Sequence, residues 1–116
     1  MPKDIKRGEI YWVDWSPSRG SEQSGMRPAL IIQNDVGNKY SPNVIVASIT
    51  TAIPDASYPF LVICTPSESG LERKSAIDLA SVMTISKSRL GDKCGGLTPT
   101  KMLEVGKAIK ESLGLV

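Results

Sequence analysis

Short apolar runs rich in β-branched residues recur along the first 86 residues of the chain. They are EIYWVDW (9–15), ALIIQ (29–33), VIVASIT (44–50), FLVIC (60–64), SAIDLA (75–80) and VMTIS (82–86). Runs of this length bounded by Gly, Pro, Asn and Asp are typical of strands separated by turns. In 9–15 both faces of the predicted strand are largely apolar. Such strands suit a small closed barrel with another element packed outside it, formed by a strongly bent antiparallel sheet.

The last 19 residues carry a different pattern. Thr98 is a predicted N-cap and Pro99 the first helical residue, while Gly114 fits the C-terminal stop. An apolar stripe at spacings of three and four follows the cap, formed by Met102, Val105, Ile109 and Leu113. Gly106 in mid-helix suggests the close approach of a neighbour. We therefore expect one mainly β domain over residues 1–116, with a C-terminal α-helix lying over the sheet.

Two residue types limit the possible chemistry. The chain has no histidine, which rules out a histidine-based nucleophile or acid/base pair and disfavours a catalytic zinc site. Any catalysis must use Arg, Lys, carboxylates, hydroxyls and backbone amides. Cys64 lies in an apolar run and Cys94 in a predicted Gly-rich turn, with no CxxC pair. In a reducing compartment this pattern predicts two free thiols.

Charge and hydropathy give a location but no partner. No apolar run approaches the ~18 residues that a membrane span needs, and the start MPKDIKRGE lacks the apolar segment of a signal peptide. We expect a cytoplasmic protein without a membrane partner. Residues 41–70 contain no Lys or Arg, whereas residues 71–116 contain eight against five acidic residues. This asymmetry predicts two electrostatically different faces.

The stretch GSEQSGMRP (20–28) combines a polar loop with a fixed cation. Gly20 allows positive φ, and Ser21 and Gln23 supply adaptable hydrogen bonds. Arg27 offers a fork that matches phosphate, and Pro28 holds the adjoining chain extended. The pattern is compatible with a phosphate site, but most loops of this composition are ordinary surface loops with a solvated cation.

Thr50 ends the run VIVASIT, just before a polar turn. If strands 29–33 and 44–50 belong to one barrel, Arg27 and Thr50 would meet at the same rim. The alternative is that Thr50 is there only because threonine is common at strand ends.

These motifs together resemble those of the MazF/PemK family of bacterial toxin endoribonucleases. The matching elements are Arg7-Gly8-Glu9, Ser16-Pro17, Gly20-Ser21-Glu22-Gln23, Arg27-Pro28, Gln33-Asn34-Asp35, Ser41-Pro42 and Ile49-Thr50. The later stretch ERKSAIDLASVMTISKSRL is similar to the family's later strands.

The resemblance implies a small SH3-like β-barrel, a homodimer and cleavage of single-stranded RNA at short motifs without a metal or other cofactor. It also implies neutralisation by a cognate antitoxin whose acidic tail covers the RNA groove. By position, Arg27 and Thr50 match the family's catalytic arginine and threonine. Ser21, Glu22 and Gln23 match loop positions that contact RNA, and Glu22 is an acid/base candidate. Differences at 18–19 and after Thr50 leave the recognised bases open.

Chemistry agrees with that reading. Metal-free RNA cleavage uses the ribose 2′-hydroxyl as nucleophile and produces a 2′,3′-cyclic phosphate. Arg27 and Thr50 would stabilise charge on the phosphoryl oxygens. A guanidinium of pKa above ~12 is a poor general base, so Glu22 is the better candidate on pKa grounds.

Two other classes stay open at this point. The same barrel occurs in toxins that bind DNA gyrase and cut no RNA, but the pairing of Arg27 with Thr50 argues against that class. A non-toxic SH3-like peptide-binding module would need aromatics along one groove, and Trp12 and Trp15 fall on opposite faces of the first strand. Incubation with a long RNA separates the three classes.

Overall fold

The computed structural model describes residues 4–15 and 25–115. Its strands are β1 (Glu9–Asp14), β2 (Met26–Ile31), β3 (Asn43–Thr50), β4 (Leu61–Cys64), β5 (Ser75–Ser86) and β6 (Leu90–Gly96). Its helices are α1 (Asp35–Tyr40), α2 (Pro66–Ser69) and α3 (Pro99–Leu113). The strands form one antiparallel sheet in the order β4-β5-β3-β2-β1-β6. The prediction of a mainly β fold with a C-terminal helix is confirmed.

The two runs 75–80 and 82–86 form a single strand, β5, rather than two. Ala47 in β3 pairs with Val82, but the next residue, Ser48, pairs with Asp78. Residues 79–81 of β5 therefore have no partner in β3, and this bulge bends the strand. Pairing between β1 and β6 is also irregular in two places.

The sheet is bent but not closed into a barrel, which corrects the expectation of closure. In the part of the chain that the structure describes, β4 and β6 are its two edges. The short helix α2 lies between them: Thr98 N–H donates to the Glu68 carbonyl at 3.1 Å. A Cβ on Gly95 of β6 would lie 2.3 Å from the Ser69 carbonyl oxygen. Helix–strand contact takes the place of the missing strand pair.

Strand β6 and the short helices α1 and α2 were not predicted. Strand β6 (LGDKCGG) contains Cys94, which was wrongly placed in a turn, because its three glycines lower the strand propensity. Helix α1 was read as a turn because Asn, Gly and Asp dominate it, although Asn34 caps it by accepting from Gly37 N–H at 2.8 Å.

Each face of the sheet carries its own core. On the face covered by α3, here called the helix face, Ile10, Leu30, Ile49 and Ile77 pack with Val105 and other buried residues. The opposite face, here called the cleft face, carries the second core. Its members are Ile5, Tyr11, Val13, Ala29, Ile31, Val44, Val46 and Leu90. The prediction that β1 is apolar on both faces is confirmed, except that Trp12 remains 39% exposed.

Helix α3 begins and ends as predicted. The Thr98 hydroxyl accepts from Lys101 N–H at 3.3 Å, and Gly114 adopts a left-handed conformation with φ of 67°. Two details were wrong: Leu113 is exposed, and a Cβ on Gly106 would have nothing within 4 Å. No close neighbour therefore requires glycine at 106.

Both cysteines are free thiols, with Cys64 buried and Cys94 partly exposed. No helix among residues 4–15 and 25–115 has the length and apolar character needed to cross a membrane.

Candidate active site

Arg27 lies near the start of β2, opposite Val13 of β1. Side chains alternate along a strand, so Arg27 shares the cleft face with Ala29 and Ile31. Beyond Ala29 the pairing of β2 with β3 ends, and there Pro28 has no N–H to donate. The sequence Arg27-Pro28 thus exposes a cation where the ladder stops.

Thr50 is the last residue of β3. The β2–β3 pairs run without irregularity from Ile31↔Val46 to Ala29↔Ser48. Extending this register by two residues beyond the last pair sets Arg27 opposite Thr50. The Thr50 hydroxyl oxygen accepts from Ala52 N–H at 3.0 Å. That bond uses a lone pair and leaves the hydroxyl hydrogen available for donation.

A cleft of about 380 Å³ opens on the cleft face at this end of the sheet. Four strands or their ends contribute to it. Its lining residues are Trp15, Arg27, Pro28, Ser48, Ile49, Ser81 and Met83. Of the predicted site residues, the structure brings Arg27 and Pro28 together in this cleft and places Thr50 one residue beyond Ile49.

Four predicted site residues, Gly20, Ser21, Glu22 and Gln23, lie outside the described residues. The chain leaves the described part at Trp15 and re-enters it at Gly25. Trp15 N–H donates to the Gly25 carbonyl at 3.1 Å. Trp15 lines the cleft, so this bond holds Gly25, the next described residue along the chain, beside a residue of the cleft.

Sequence reasoning missed Trp15, Ser48, Ser81 and Met83 as members of this cleft. Only Ser48 had a usable signal, because it precedes Thr50 by two residues and therefore shares its face. Ser81 and Met83 reach the cleft through the bulge in β5, which depends on pairing between distant segments.

A second polar cluster lies at the other end of β1. Glu9 Oε1 accepts from Lys6 N–H at 2.8 Å and from the Tyr11 hydroxyl at 3.0 Å, and Lys93 Nζ lies 2.9 Å from Oε2. Partial burial opposes ionisation of Glu9, but the hydrogen bonds and Lys93 outweigh it and lower its pKa. Burial and the bond to Glu9 raise the pKa of Tyr11 to about 12. The cluster fixes the start of β1.

Within 4–15 and 25–115, no group of three or more Cys, Asp or Glu side chains is arranged to hold a metal ion.

Comparison with known proteins places the chain. Residues 6–113 match the family described as PemK-like, MazF-like toxin of type II toxin–antitoxin system. The chain belongs to this family. It is 49% identical over 111 residues to Endoribonuclease MazF of Staphylococcus epidermidis, covering 96% of this chain and 92% of that protein. It is 46% identical over 112 residues to Endoribonuclease EndoA of Bacillus subtilis (strain 168), covering 97% of each.

Solved structures agree. A mycobacterial endoribonuclease in complex with its cognate antitoxin superposes with a TM-score of 0.80 at 28% identity, covering 97% of each chain. A MazE–MazF structure from Deinococcus radiodurans, 21% identical and covering 99% of this chain and 100% of that chain, shares the fold with a TM-score of 0.79. The predicted family and the predicted class, an endoribonuclease toxin, are confirmed by the relatives.

Proposed function

We propose that this MazF-family endoribonuclease cleaves single-stranded RNA at short motifs without a metal, in the cleft beside Arg27. The observation that carries the proposal is the placement of Arg27 in a solvent-accessible cleft, with Thr50 at the end of the neighbouring strand. This pairing joins a bidentate cation to a hydroxyl donor, the groups that a phosphoryl transition state requires.

The reaction is a transesterification within the RNA. The 2′-hydroxyl oxygen forms a bond to phosphorus, and the bond from phosphorus to the 5′ oxygen breaks. The products are a 2′,3′-cyclic phosphate and a 5′-hydroxyl end. Arg27 and the Thr50 hydroxyl hold the charge that gathers on the non-bridging oxygens. Each preorganised donor of this kind contributes roughly 3 kcal/mol.

Proton transfer requires further groups. A guanidinium has no acceptor atom, so Arg27 acts only as a hydrogen-bond donor. We assign the base role to Glu22 and RNA contacts to Gly20, Ser21, Gln23 and Pro28. Their support is the family motif together with Trp15 and Gly25, which flank 16–24 in sequence and are hydrogen-bonded to each other, with Trp15 lining the cleft. Because the nucleophile is a 2′-hydroxyl, DNA is no substrate.

Partners follow from the relatives and from charge. A relative of known structure is titled a complex with its cognate antitoxin. We propose that an acidic antitoxin neutralises this chain by covering the RNA groove. The basic balance of residues 71–116 supports an acidic ligand. We further propose a homodimer acting in the cytoplasm.

The test is cleavage of a long RNA by purified protein in excess EDTA. We expect cuts at a short recurring motif, with cyclic phosphate ends on the upstream fragments. Duplex RNA and single-stranded DNA of the same sequence serve as controls and should stay intact. Loss of cutting on chelation would contradict the metal-free mechanism. An absence of cutting with and without added Mg²⁺ would contradict the proposed function.

A further inference from the structure

The wall of the cleft opposite Arg27 contains a serine whose hydrogen bonding is fixed. Ser81 lines the cleft, and its hydroxyl donates to Asp78 Oδ2 at 3.0 Å. The other carboxylate oxygen of Asp78 accepts from Ala80 N–H at 2.9 Å. Both oxygens of Asp78 thus hold the bulged segment 79–81 of β5.

Position as well as bonding links this pair to the cleft. Asp78 pairs with Ser48, and residues directly opposite each other in an antiparallel pair project from the same face. Ser48 also lines the cleft. Asp78 is partly buried and does not line the cleft, whereas Ser81 forms part of the surface that a ligand meets.

The bond to Asp78 decides what Ser81 can offer. A serine hydroxyl has one hydrogen and two lone pairs. Because the carboxylate can only accept, the hydrogen of Ser81 is directed to it. The oxygen of Ser81 then presents lone pairs alone to the cleft.

The remaining walls suit a flat, partly apolar group. Trp15 and the exposed side chain of Met83 line the cleft together with its polar residues. Aromatic side chains beside a phosphate site are the usual stacking surface for an unpaired base. The cleft, at about 380 Å³, has room for one base next to a phosphate at Arg27.

We propose that Ser81, oriented by Asp78, is a specificity-determining residue that accepts a hydrogen bond from an N–H group of a base beside the scissile phosphate. The proposal rests on the proposed function. The pair selects a donor atom rather than a base by name: an exocyclic amino group or a ring imino group satisfies it, and a base edge carrying only acceptors does not.

Asp78→Asn gives the sharpest test, because it reverses the polarity of the contact. The amide oxygen can keep the bond to Ala80 N–H, and the amide nitrogen then faces Ser81 and donates to it. The Ser81 hydrogen is released toward the cleft. We expect one motif position to shift its preference toward bases that present an acceptor, while the other positions keep theirs.

Ser81→Ala removes the acceptor while Asp78 keeps its bond from Ala80 N–H, and it carries the test if Asp78→Asn folds poorly. We expect discrimination at that same motif position to fall by about tenfold. Ser81→Thr should restore it. Ser112→Ala on α3 is a matched control and should leave the profile unchanged. The readout is sequencing of cut ends from a random RNA pool, with folding checked by circular dichroism.

A second readout addresses the atom itself. Once the motif is known, the base at the affected position is replaced by an analogue that lacks the donor, such as purine riboside for adenosine. Wild type should cut the analogue about tenfold more slowly, and Ser81→Ala should cut both RNAs alike.

The outcomes separate the two claims. An active wild type whose Ser81→Ala and Asp78→Asn variants keep the same preference at every motif position overturns this inference alone, as does a uniform loss of rate without a change in profile. A wild type that cuts no RNA overturns the proposed function, and this inference with it.

Discussion

Arg27 and Thr50 gain their setting from the point at which each strand ends its pairing. Pro28 cannot donate to β3, so the ladder stops at Ala29 and leaves Arg27 accessible. Thr50 closes β3 and caps the turn that follows by accepting from Ala52 N–H. The Thr50 hydroxyl therefore accepts one hydrogen bond and still has its hydrogen to donate. Removing it should affect both stability and cleavage, and both effects can be measured.

Thr50→Val keeps the branched shape and removes the hydroxyl. We expect cleavage to fall on the order of 10²-fold or more, as for loss of one preorganised donor. Loss of the bond to Ala52 should lower the free energy of unfolding by only about 1 kcal/mol. Single-turnover assays and thermal unfolding measure the two effects. Thr84→Val, at an exposed threonine of β5, is the control. Wild-type cleavage by Thr50→Val would reduce Thr50 to a strand-end residue.

Glu9 and Tyr11 predict how stability depends on pH. The lowered pKa of Glu9 means that its contribution is present above the ordinary carboxyl pKa and is lost as pH falls through the lowered value. Tyr11, with its pKa raised to about 12, contributes below pH 10 and loses this as pH rises toward 12.

Glu9→Gln should therefore flatten the acid side of the stability curve and lower stability at pH 7 by about 1 kcal/mol, through loss of a charged acceptor. Urea unfolding across the pH range checks this, with Glu111→Gln on the exposed surface of α3 as the control. An unchanged slope below pH 5 would contradict the assignment.

Arg27 and Thr50, the two residues of the proposed site, were predicted from short sequence motifs. The cleft around them was not predicted. Ser81 and Met83 lie more than 50 residues from Arg27 in sequence, and only the bulge in β5 turns them into the same cleft. Local pattern cannot report the register of distant strands.

At the scale of elements, the fold depends on how the two edges of the sheet are covered. Periodicity identified the five apolar strands, although it divided β5 in two, and capping residues identified α3. Strand β6 was not predicted because its glycines have a low strand propensity. The strand forms through close contacts instead. The backbone of Ser69 approaches Gly95 so closely that no side chain fits there.

Gly95→Ala tests that contact. A Cβ at 2.3 Å from the Ser69 carbonyl oxygen forces backbone movement between α2 and β6, and overpacking of this kind lowers stability by about 1–3 kcal/mol. Gly106→Ala is the matched control, since its Cβ meets nothing within 4 Å. It should raise stability by up to about 1 kcal/mol, from helix propensity. Chemical denaturation gives both values. Equal stability of Gly95→Ala and wild type would show that α2 moves away from β6 without a cost in free energy.

In the whole molecule, the two faces of the sheet have different roles. The helix face buries one core under α3, and the cleft face carries the second core and the proposed active site. Residues 71–116 add a basic balance to the molecule. The proposed partners, RNA and an acidic antitoxin tail, share negative charge and should compete for the same groove.

That charge gives a testable dependence on salt. We expect an acidic antitoxin peptide to bind more weakly as NaCl rises from 50 to ~500 mM, because screening shortens the reach of each charge. Fluorescence anisotropy with a labelled peptide measures the affinity, and a peptide of the same length with Gln and Asn in place of the acids is the control. Equal affinity at low and high salt would show that electrostatic attraction does not contribute to binding of the antitoxin peptide.

We propose that Arg27 binds the transition state through the planar fork of its guanidinium, and Arg27→Lys separates this role from that of its charge alone. Lysine keeps the charge but offers a single point donor on a flexible stem. Cleavage and binding are measured on one oligonucleotide, after circular dichroism confirms the fold, with Arg73→Lys in a different cleft as the control. We predict a fall in single-turnover cleavage on the order of 10²-fold or more, with a much smaller loss of RNA binding, which rests on many backbone contacts. Equal and small losses in cleavage and in RNA binding would contradict this role and would mean that Arg27 only binds phosphate.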